Sequence, residues 1–300
     1  MKARYTLPAV LLLSSVLFAA CGNKEEAQPA ANNAQTSPST ATTADSTAAG
    51  TTAPAASTAD FKDATEQYRT YAIGEIDAFV TETEKFTEAV KAGKLEEAKK
   101  LYAPARMHYE RIEPIAEALG NLDPDIDARQ GDVDDKDWRG FHKIEQALWE
   151  QKTTDGMNEY ADRLLQDAKL LRAKVETVDI DAGLLVTGAV ELLNEVSSSK
   201  VTGEEERYSH TDLYDFVANV EGAEKIYEIL KPNLAKKDPA LEKQIGERFE
   251  ALNKELAPFA TKDGGYVTYD KLSKQDVRTL SQNLDALAEP LSQMGTILGV

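Results

Sequence analysis

The sequence YRTYAIGEIDAFVTETEKFTEAV, residues 68–90, carries apolar side chains at the spacing of one helix face. That face consists of Tyr68, Ala72, Ile76, Phe79, Phe86 and Val90. Gly93 follows shortly after the last of them, so we expect the helix to end near that residue. A stripe of this width is typical of a helix that packs against other helices.

The same period recurs along the chain. A second helix is predicted from Lys94 to Gly120, with breaks or kinks at Pro104 and Pro114. Further helices are predicted at 138–151, 157–177, 181–198, 210–231, 238–258 and 270–297, and the last carries a stripe of Leu280, Leu284, Leu287, Leu291 and Met294. The sequence has no alternating run long enough to predict a sheet. The fold class is therefore predicted to be all-α, an antiparallel helical bundle.

Two short segments indicate an internal duplication. Glu110-Arg-Ile-Glu113 follows a long helix and a polar connection in the first half, and Glu221-Gly-Ala-Glu224 does so in the second. We therefore expect two four-helix bundles related by a pseudo-two-fold axis.

Residues 1–20 have the pattern of a secretory signal peptide. Lys2 and Arg4 precede an apolar stretch that is too short to span a bilayer. The single cysteine, Cys21, follows Leu-Phe-Ala-Ala and precedes Gly22, as in a bacterial lipobox. We expect Cys21 to carry acyl chains such as palmitate that anchor the protein to a membrane. The alternative is an ordinary signal peptide with an incidental cysteine.

Residues 21–60 are dominated by Ala, Thr, Ser, Gln, Asn and Pro, a composition that cannot bury enough apolar surface to fold. We expect a flexible tether that spans roughly 30–35 Å. Residues 61–300 are long enough for one large domain. The net charge of −18 falls almost wholly on this domain, which argues against nucleic-acid partners and favours cations.

The segment GFHKIEQALWE, residues 140–150, places His142 and Glu145 three positions apart on one helix face. This spacing can direct an imidazole and a carboxylate to one metal ion. Glu110 and Glu113 share a face in the same way and repel each other unless a cation lies between them. The alternatives are a solvated surface pair at His142 and an exposed acidic edge at Glu110 and Glu113 that Arg106 and Arg111 partly neutralise.

A third candidate segment contains Asp212, Asp215 and Glu221 on a helix that could face the other two across a bundle core. Bundle interiors that collect carboxylates and imidazoles from facing helices bind redox metals. Hard oxygen ligands with one imidazole suit iron or manganese better than thiolate-preferring ions.

Four segments carry a resemblance to a known family when they are taken in order. They are YERIEPIAE (109–117), LDPDIDAR (122–129), GFHKIEQALWE (140–150) and DLYDFVANVEGAEKIY (212–227). They resemble the imelysin-like domain of the EfeO and EfeM iron-uptake proteins, whose hallmark is His-x-x-Glu. The resemblance implies an all-helical, non-enzymatic iron-binding protein of the periplasm, lipid-anchored to the inner or outer membrane. Its expected partners are the iron permease and the haem-peroxidase-like protein of an EfeUOB-type system.

The resemblance also implies a ligand set for Fe²⁺ or Fe³⁺, with Zn²⁺ and Cu²⁺ as alternative ions. The implied ligands are Glu110, Glu113, Asp127, His142, Glu145 and Glu221. The chain departs from full-length EfeO because a polar tether stands where those proteins carry a cupredoxin domain. This departure argues against a role that requires copper or the oxidation of ferrous iron.

Two other functions are open at this stage. The first is a metallopeptidase of the imelysin type, with His108 or His210 as a third zinc ligand, although the sequence lacks HExxH. The second is a lipoprotein that binds acidic polysaccharides through a bridging cation. Only Trp138 and Trp149 are available among the tryptophans for stacking on sugars, which disfavours the second alternative.

Overall fold

The computed structural model describes residues 61–300, which are mostly helical and contain no strand within that range. The all-α prediction is confirmed. The predictions for the signal peptide, Cys21 and the tether lie outside the described residues.

Ten α-helices lie in this range. They are α1 (Lys62–Lys91), α2 (Leu95–Glu110), α3 (Ala116–Leu119), α4 (Leu122–Asp127), α5 (Phe141–Gln146), α6 (Asn158–Val175), α7 (Ala182–Ser198), α8 (Asp212–Lys237), α9 (Pro239–Leu256) and α10 (Lys274–Leu298). A π-helical turn, Ala147–Gln151, extends α5. The 3₁₀ turns are Glu113–Ile115, Lys200–Thr202, Ala257–Phe259 and Tyr269–Lys271.

Helix α1 buries the stripe that its sequence predicts, from Tyr68 to Val90. It ends just before Gly93, whose φ of 73° lets the chain reverse into α2. The backbone N–H of Lys94 donates to the Ala89 carbonyl across this turn. Because the connection is so short, α1 and α2 are antiparallel neighbours.

The helices pack in two groups that meet through α2 and α8. Helix α1 packs against α2 and α6, whereas α10 packs against α7 and α9, and α8 packs against α7 and α9. Helices α2 and α8 contact each other and so join the two groups. The polar interior described below lies beside this contact. The pseudo-two-fold relation between two four-helix bundles stays a prediction.

The two prolines that were predicted as breaks or kinks lie at different places relative to α2. Pro104 lies inside the helix and does not end it, whereas the helix stops at Glu110, before Pro114. The end of α2 lies tight against α8, since a Cβ atom on Gly222 would be 2.3 Å from the Arg111 carbonyl oxygen. Only glycine permits this approach.

Helix α5 begins later than predicted, at Phe141, because Gly140 has a φ of 90° and cannot continue a helix. A Cβ atom at Gly140 would lie 2.2 Å from the Ile126 carbonyl oxygen. The missing side chain therefore brings the start of α5 against the end of α4. This contact places His142 beside Asp127.

Helix α10 buries its predicted leucine stripe and begins with a capping box between Ser273 and Asp276. Within residues 61–300, every helix is too short or too polar to serve as a membrane span.

Candidate metal centre

A polar cluster fills the interior where α2, α4, α5 and α8 meet the segment 199–211. Its buried ionisable or amide side chains are Arg106, Glu110, His142, Glu145, Lys200, Glu205, Glu206, Asp212, Asp215 and Asn219. Burying so many charged groups is unfavourable unless they are paired or bind an ion.

His142 and Glu145 contact each other through the i, i+3 spacing of α5. The Nδ1 atom of His142 lies 3.1 Å from Glu145 Oε2, and both side chains are buried. Glu145 Oε1 accepts backbone hydrogen bonds from Tyr208 at 2.9 Å and Ser209 at 2.8 Å. Burial opposes ionisation of Glu145, but His142 and the Ser209 N–H group lower its pKa.

The other nitrogen of this imidazole faces a second pair of carboxylates. His142 Nε2 lies 3.5 Å from Asp127 Oδ1 and 3.5 Å from Glu205 Oε1, and it is buried without a hydrogen-bond partner. One ligand atom from each of these three residues lies within 4.8 Å of the others. Ligand atoms that bind one metal ion at about 2 Å lie up to about 4 Å apart, so the two 3.5 Å separations at Nε2 fit a shared ion.

Glu206 completes a second group of three with His142 and Glu145, whose ligand atoms also lie within 4.8 Å of one another. Ser209 donates to Glu206 Oε2 at 2.8 Å, and Tyr102 donates to Glu206 Oε1 at 3.3 Å. The two groups share His142, so this imidazole is the centre of the arrangement.

Arg106, which lies on α2, forms ion pairs with carboxylates of the cluster. Its guanidinium is fully buried, lies 2.6 Å from Glu110 Oε1 and 2.6 Å from Glu206 Oε1, and forms a short ion pair with Asp127. Burial by itself raises the pKa of the Asp127 carboxyl. The charges of Arg106 and His142 outweigh burial, so this pKa lies far below its usual range.

Lys200 forms ion pairs with Glu110 and Glu113. Its Nζ atom lies 2.9 Å from Glu110 Oε2 and 2.9 Å from Glu113 Oε2. The amide of Asn219 donates to the same two oxygens, at 2.9 Å and 2.8 Å. Glu110 and Glu113 therefore lie around an ammonium group rather than beside His142.

Negative charge exceeds positive charge in this interior. Among the described residues, the permanent cations of the cluster are buried Arg106 and Lys200, with Arg129 at its edge 2.8 Å from Glu205, against eight carboxyl groups: Glu110, Glu113, Asp127, Glu145, Glu205, Glu206, Asp212 and Asp215.

Protons offset this excess in the metal-free protein. Burial and the Glu145 charge raise the pKa of Glu206 to about 8, and burial raises the pKa of Asp215 well above its usual value. Burial and Arg106 oppose protonation of His142, but the carboxylates of Asp127, Glu145 and Glu205 raise its pKa. A bound metal ion would replace protons on Glu206 and His142.

An acidic cleft leads from solvent to these ligands. It has a volume of about 190 Å³ and is lined by Asp123, Asp127, Asp132, Glu195 and Glu205, among other residues. The side chain of Asp132 at its mouth is 40% exposed, whereas that of Glu205 is 4% exposed. The cleft gives a cation a route lined with carboxylates.

Five of the six implied ligands lie in this cluster, namely Glu110, Glu113, Asp127, His142 and Glu145. Glu221 lies apart from them, with its side chain 42% exposed and 2.7 Å from Arg111 Nε. The cluster side of α8 is marked by Asp212, Asp215 and Asn219. Glu221 is two residues beyond Asn219, which rotates it about 200° around the helix axis.

Sequence reasoning missed Glu205 and Glu206 because they lie in a loop. The run Glu204-Glu-Glu206 stands between two predicted helices, where no periodicity indicates which side chains point inward. Arg106 was expected to neutralise an exposed acidic edge, but it is buried. Its i, i+4 spacing to Glu110 was the available signal for their ion pair.

His108 and His210 do not join the centre. His108 Nδ1 lies 2.7 Å from Glu75 in a separate network, and His210 is exposed with a φ of 58°. His142 is therefore the one imidazole in the cluster among residues 61–300.

A helical bundle with carboxylates and one imidazole in its core defines the class of the protein, an all-α protein with a candidate metal site. The imelysin profile, also named peptidase family M75, matches residues 64–294. The chain belongs to the imelysin family, and within it to the Efem/EfeO family lipoproteins.

Two relatives support this assignment, each across most of the chain. An Efem/EfeO family lipoprotein of Staphylococcus haemolyticus is 45% identical over 297 residues, which is 97% of this chain and 98% of the relative. An Efem/EfeO family lipoprotein of Staphylococcus aureus is 48% identical over 244 residues, which is 80% of this chain and 86% of the relative.

Proposed function

We propose that this protein is the iron-binding component of an EfeUOB-type uptake system and captures iron as cargo outside the cytoplasm. The observation that supports this most directly is the convergence of carboxylates on both nitrogens of buried His142. The ligands are Asp127, His142 and Glu205, with Glu145 and Glu206 on the other side of the imidazole.

The chemistry of the cluster supports a hard, highly charged ion. Oxygen ligands with one imidazole and no thiolate suit Fe²⁺ or Fe³⁺ better than Cu⁺ or a structural zinc. The cluster contains more carboxyl groups than cationic side chains, which favours a bound cation. The acidic cleft attracts cations toward it.

The lipoprotein relatives support a membrane-anchored protein on the outer side of a membrane. Acylated Cys21 is the proposed anchor, and residues 21–60 are the proposed tether. The relatives come from Staphylococcus, whose cells have one membrane, so they do not support the periplasm or an outer membrane. A Cys21→Ser variant should move from the membrane fraction to the medium.

The proposed delivery partner is an iron permease in the same membrane, with a haem-peroxidase-like protein as the third component. Loss of iron accumulation in cells that lack this chain, restored by the native gene and not by a His142→Ala gene, would support delivery. Accumulation that is unchanged by its loss would contradict the proposal.

Metal titration tests the binding step directly. The full protein, purified in detergent, is titrated with Fe²⁺ without oxygen, with Fe³⁺ as its citrate complex, and with Zn²⁺ and Cu²⁺. We expect saturable iron binding that falls in Asp127→Ala and Glu205→Ala. Iron binding that is absent from the native protein, or unchanged from native in both variants, would overturn the assignment.

A metallopeptidase is the second candidate, because the matching family carries a peptidase name. A catalytic zinc needs a free position for water. In this structure the Arg106 guanidinium contacts Asp127 and Glu206 within the ligand cluster. Digestion of casein by the zinc-loaded native protein, and not by His142→Ala, would establish the peptidase reading instead.

A further inference from the structure

Lys200 places an ammonium group in the interior of the protein between two carboxylates. Its side chain is 2% exposed, and Nζ lies 2.9 Å from Glu110 Oε2 and 2.9 Å from Glu113 Oε2. A third contact, at 3.2 Å, reaches Glu113 Oε1. A buried ammonium is stable only with such partners, and these contacts raise its pKa well above the usual value.

Asn219 completes the surroundings of this ammonium. Its Nδ2 atom donates to both carboxylates, whereas its buried Oδ1 atom has no hydrogen-bond partner among residues 61–300. Rotating the amide by 180° would exchange the two atoms and turn Oδ1 toward the carboxylates. Two carboxylates and an amide oxygen are ligands that hard divalent cations accept.

We propose that Lys200 is a resident counter-ion, which occupies a divalent-cation position between Glu110 and Glu113 and keeps metal out of it. This inference takes the metal centre at His142 from the proposed function. Glu113 also lines the acidic cleft, so cations that enter from solvent pass this pair. With Lys200 in place, the pair does not retain them, and the cargo reaches His142.

Substitution of Lys200 by a neutral side chain tests the proposal. The full protein and its Lys200→Met variant are titrated with Mn²⁺, which is a hard divalent cation and stays reduced in air. We expect Lys200→Met to bind one more equivalent of Mn²⁺ than the native protein. The double variant Lys200→Met/Glu113→Gln should lose that additional equivalent, because one of the two carboxylates is gone.

Lys174→Met is the matched control, since it removes the same charge. The Lys174 ammonium is half-buried and donates to the Leu119 carbonyl oxygen, not to a carboxylate. We expect native stoichiometry from this variant. An additional equivalent in Lys174→Met as well would mean that net charge, and not the Lys200 position, governs binding, and it would overturn the proposal.

Folding of the variants is followed by circular dichroism and thermal unfolding. Metal-free Lys200→Met should have a lower Tm than the native protein, because Glu110 and Glu113 lose their counter-ion, and Mn²⁺ should raise that Tm. A folded Lys200→Met variant with native stoichiometry would overturn the proposal.

If Lys200→Met does not fold, the Mn²⁺ stoichiometry of the single variant Glu113→Gln tests the proposal instead. Native Mn²⁺ binding in this variant is expected because Lys200 already occupies the pair, and a lost equivalent would overturn the inference. The proposed function and this inference can fail separately. If the native protein binds no Mn²⁺ or iron but Lys200→Met binds one equivalent of Mn²⁺, the proposed function is wrong and the inference about Lys200 is supported.

Discussion

The imidazole Nε2 of His142 lies 3.5 Å from Glu205 Oε1, although one residue is on a helix and the other is in a distant loop. The contact joins the motif that identified the family to a residue that no motif predicted. It also determines which substitutions should affect metal binding.

His142→Ala should weaken iron binding by about 100-fold or more, because both groups of three ligands share this imidazole. Anaerobic titration calorimetry with Fe²⁺ measures the effect. His108→Ala is the control, since His108 contacts Glu75 in a separate network. Equal affinities in the two variants would contradict the assignment of His142.

Glu205→Ala should weaken iron binding by at least about tenfold, whereas Glu221→Ala should leave it within about twofold of native. Glu205 faces His142, but Glu221 contacts Arg111 and is 42% exposed. The same titration compares both variants. A larger loss in Glu221→Ala would show that the second-half glutamate of the family resemblance is the ligand after all.

Iron affinity should rise as the pH increases toward 8. Glu206, with a pKa raised to about 8 by burial and Glu145, is protonated below that pH in the metal-free protein and must lose its proton to bind metal. Each displaced proton contributes up to about tenfold in affinity per pH unit. Calorimetry in buffers of different ionisation enthalpy counts the protons, and no proton release at pH 6.5 would exclude this role for Glu206.

In the metal-free protein, Glu206 should make the free energy of unfolding fall as the pH rises, whereas iron affinity rises with pH. A carboxyl group whose pKa rises from 4.5 to about 8 on folding favours the folded state less as pH increases through that interval. Glu206→Gln should therefore match native stability near pH 4.5 and exceed it by on the order of a few kcal/mol at pH 9. Thermal unfolding across this range measures the difference, and a constant difference would contradict the shift.

Gly140→Ala should destabilise the protein by about 3 kcal/mol or more, because its Cβ atom would lie 2.2 Å from the Ile126 carbonyl oxygen. Gly131→Ala is the matched control: its φ of 98° is also positive, but nothing lies within 4 Å of its Cβ position. Its cost should be near 1 kcal/mol from backbone strain alone. Denaturant unfolding of both variants isolates the contribution of the close approach.

The fold followed from the sequence because helix periodicity is a local property. The stripes of α1 and α10 predicted buried faces that the structure confirms. Pro104 was harder to interpret, since a proline inside a helix is tolerated when tertiary packing offsets its missing hydrogen bond.

The candidate site was predictable only where its residues lie on helices. The i, i+3 spacing identified His142 with Glu145, and Glu110 with Glu113. The direction of Glu205 depends on the path of a loop, which no short-range pattern encodes. Glu221, implied by the family resemblance, lies about 200° around the α8 axis from Asn219 and contacts Arg111, and its role as a ligand stays a prediction.

The segment 199–211 supplies Lys200, Glu205 and Glu206, and its backbone N–H groups orient Glu145. The helices supply Asp127, His142 and the apolar core on which folding depends. Part of the proposed ligand set is thus encoded outside the helices that form the bundle. Substitutions in this segment would change the charges around His142 while leaving the apolar faces of the helices intact.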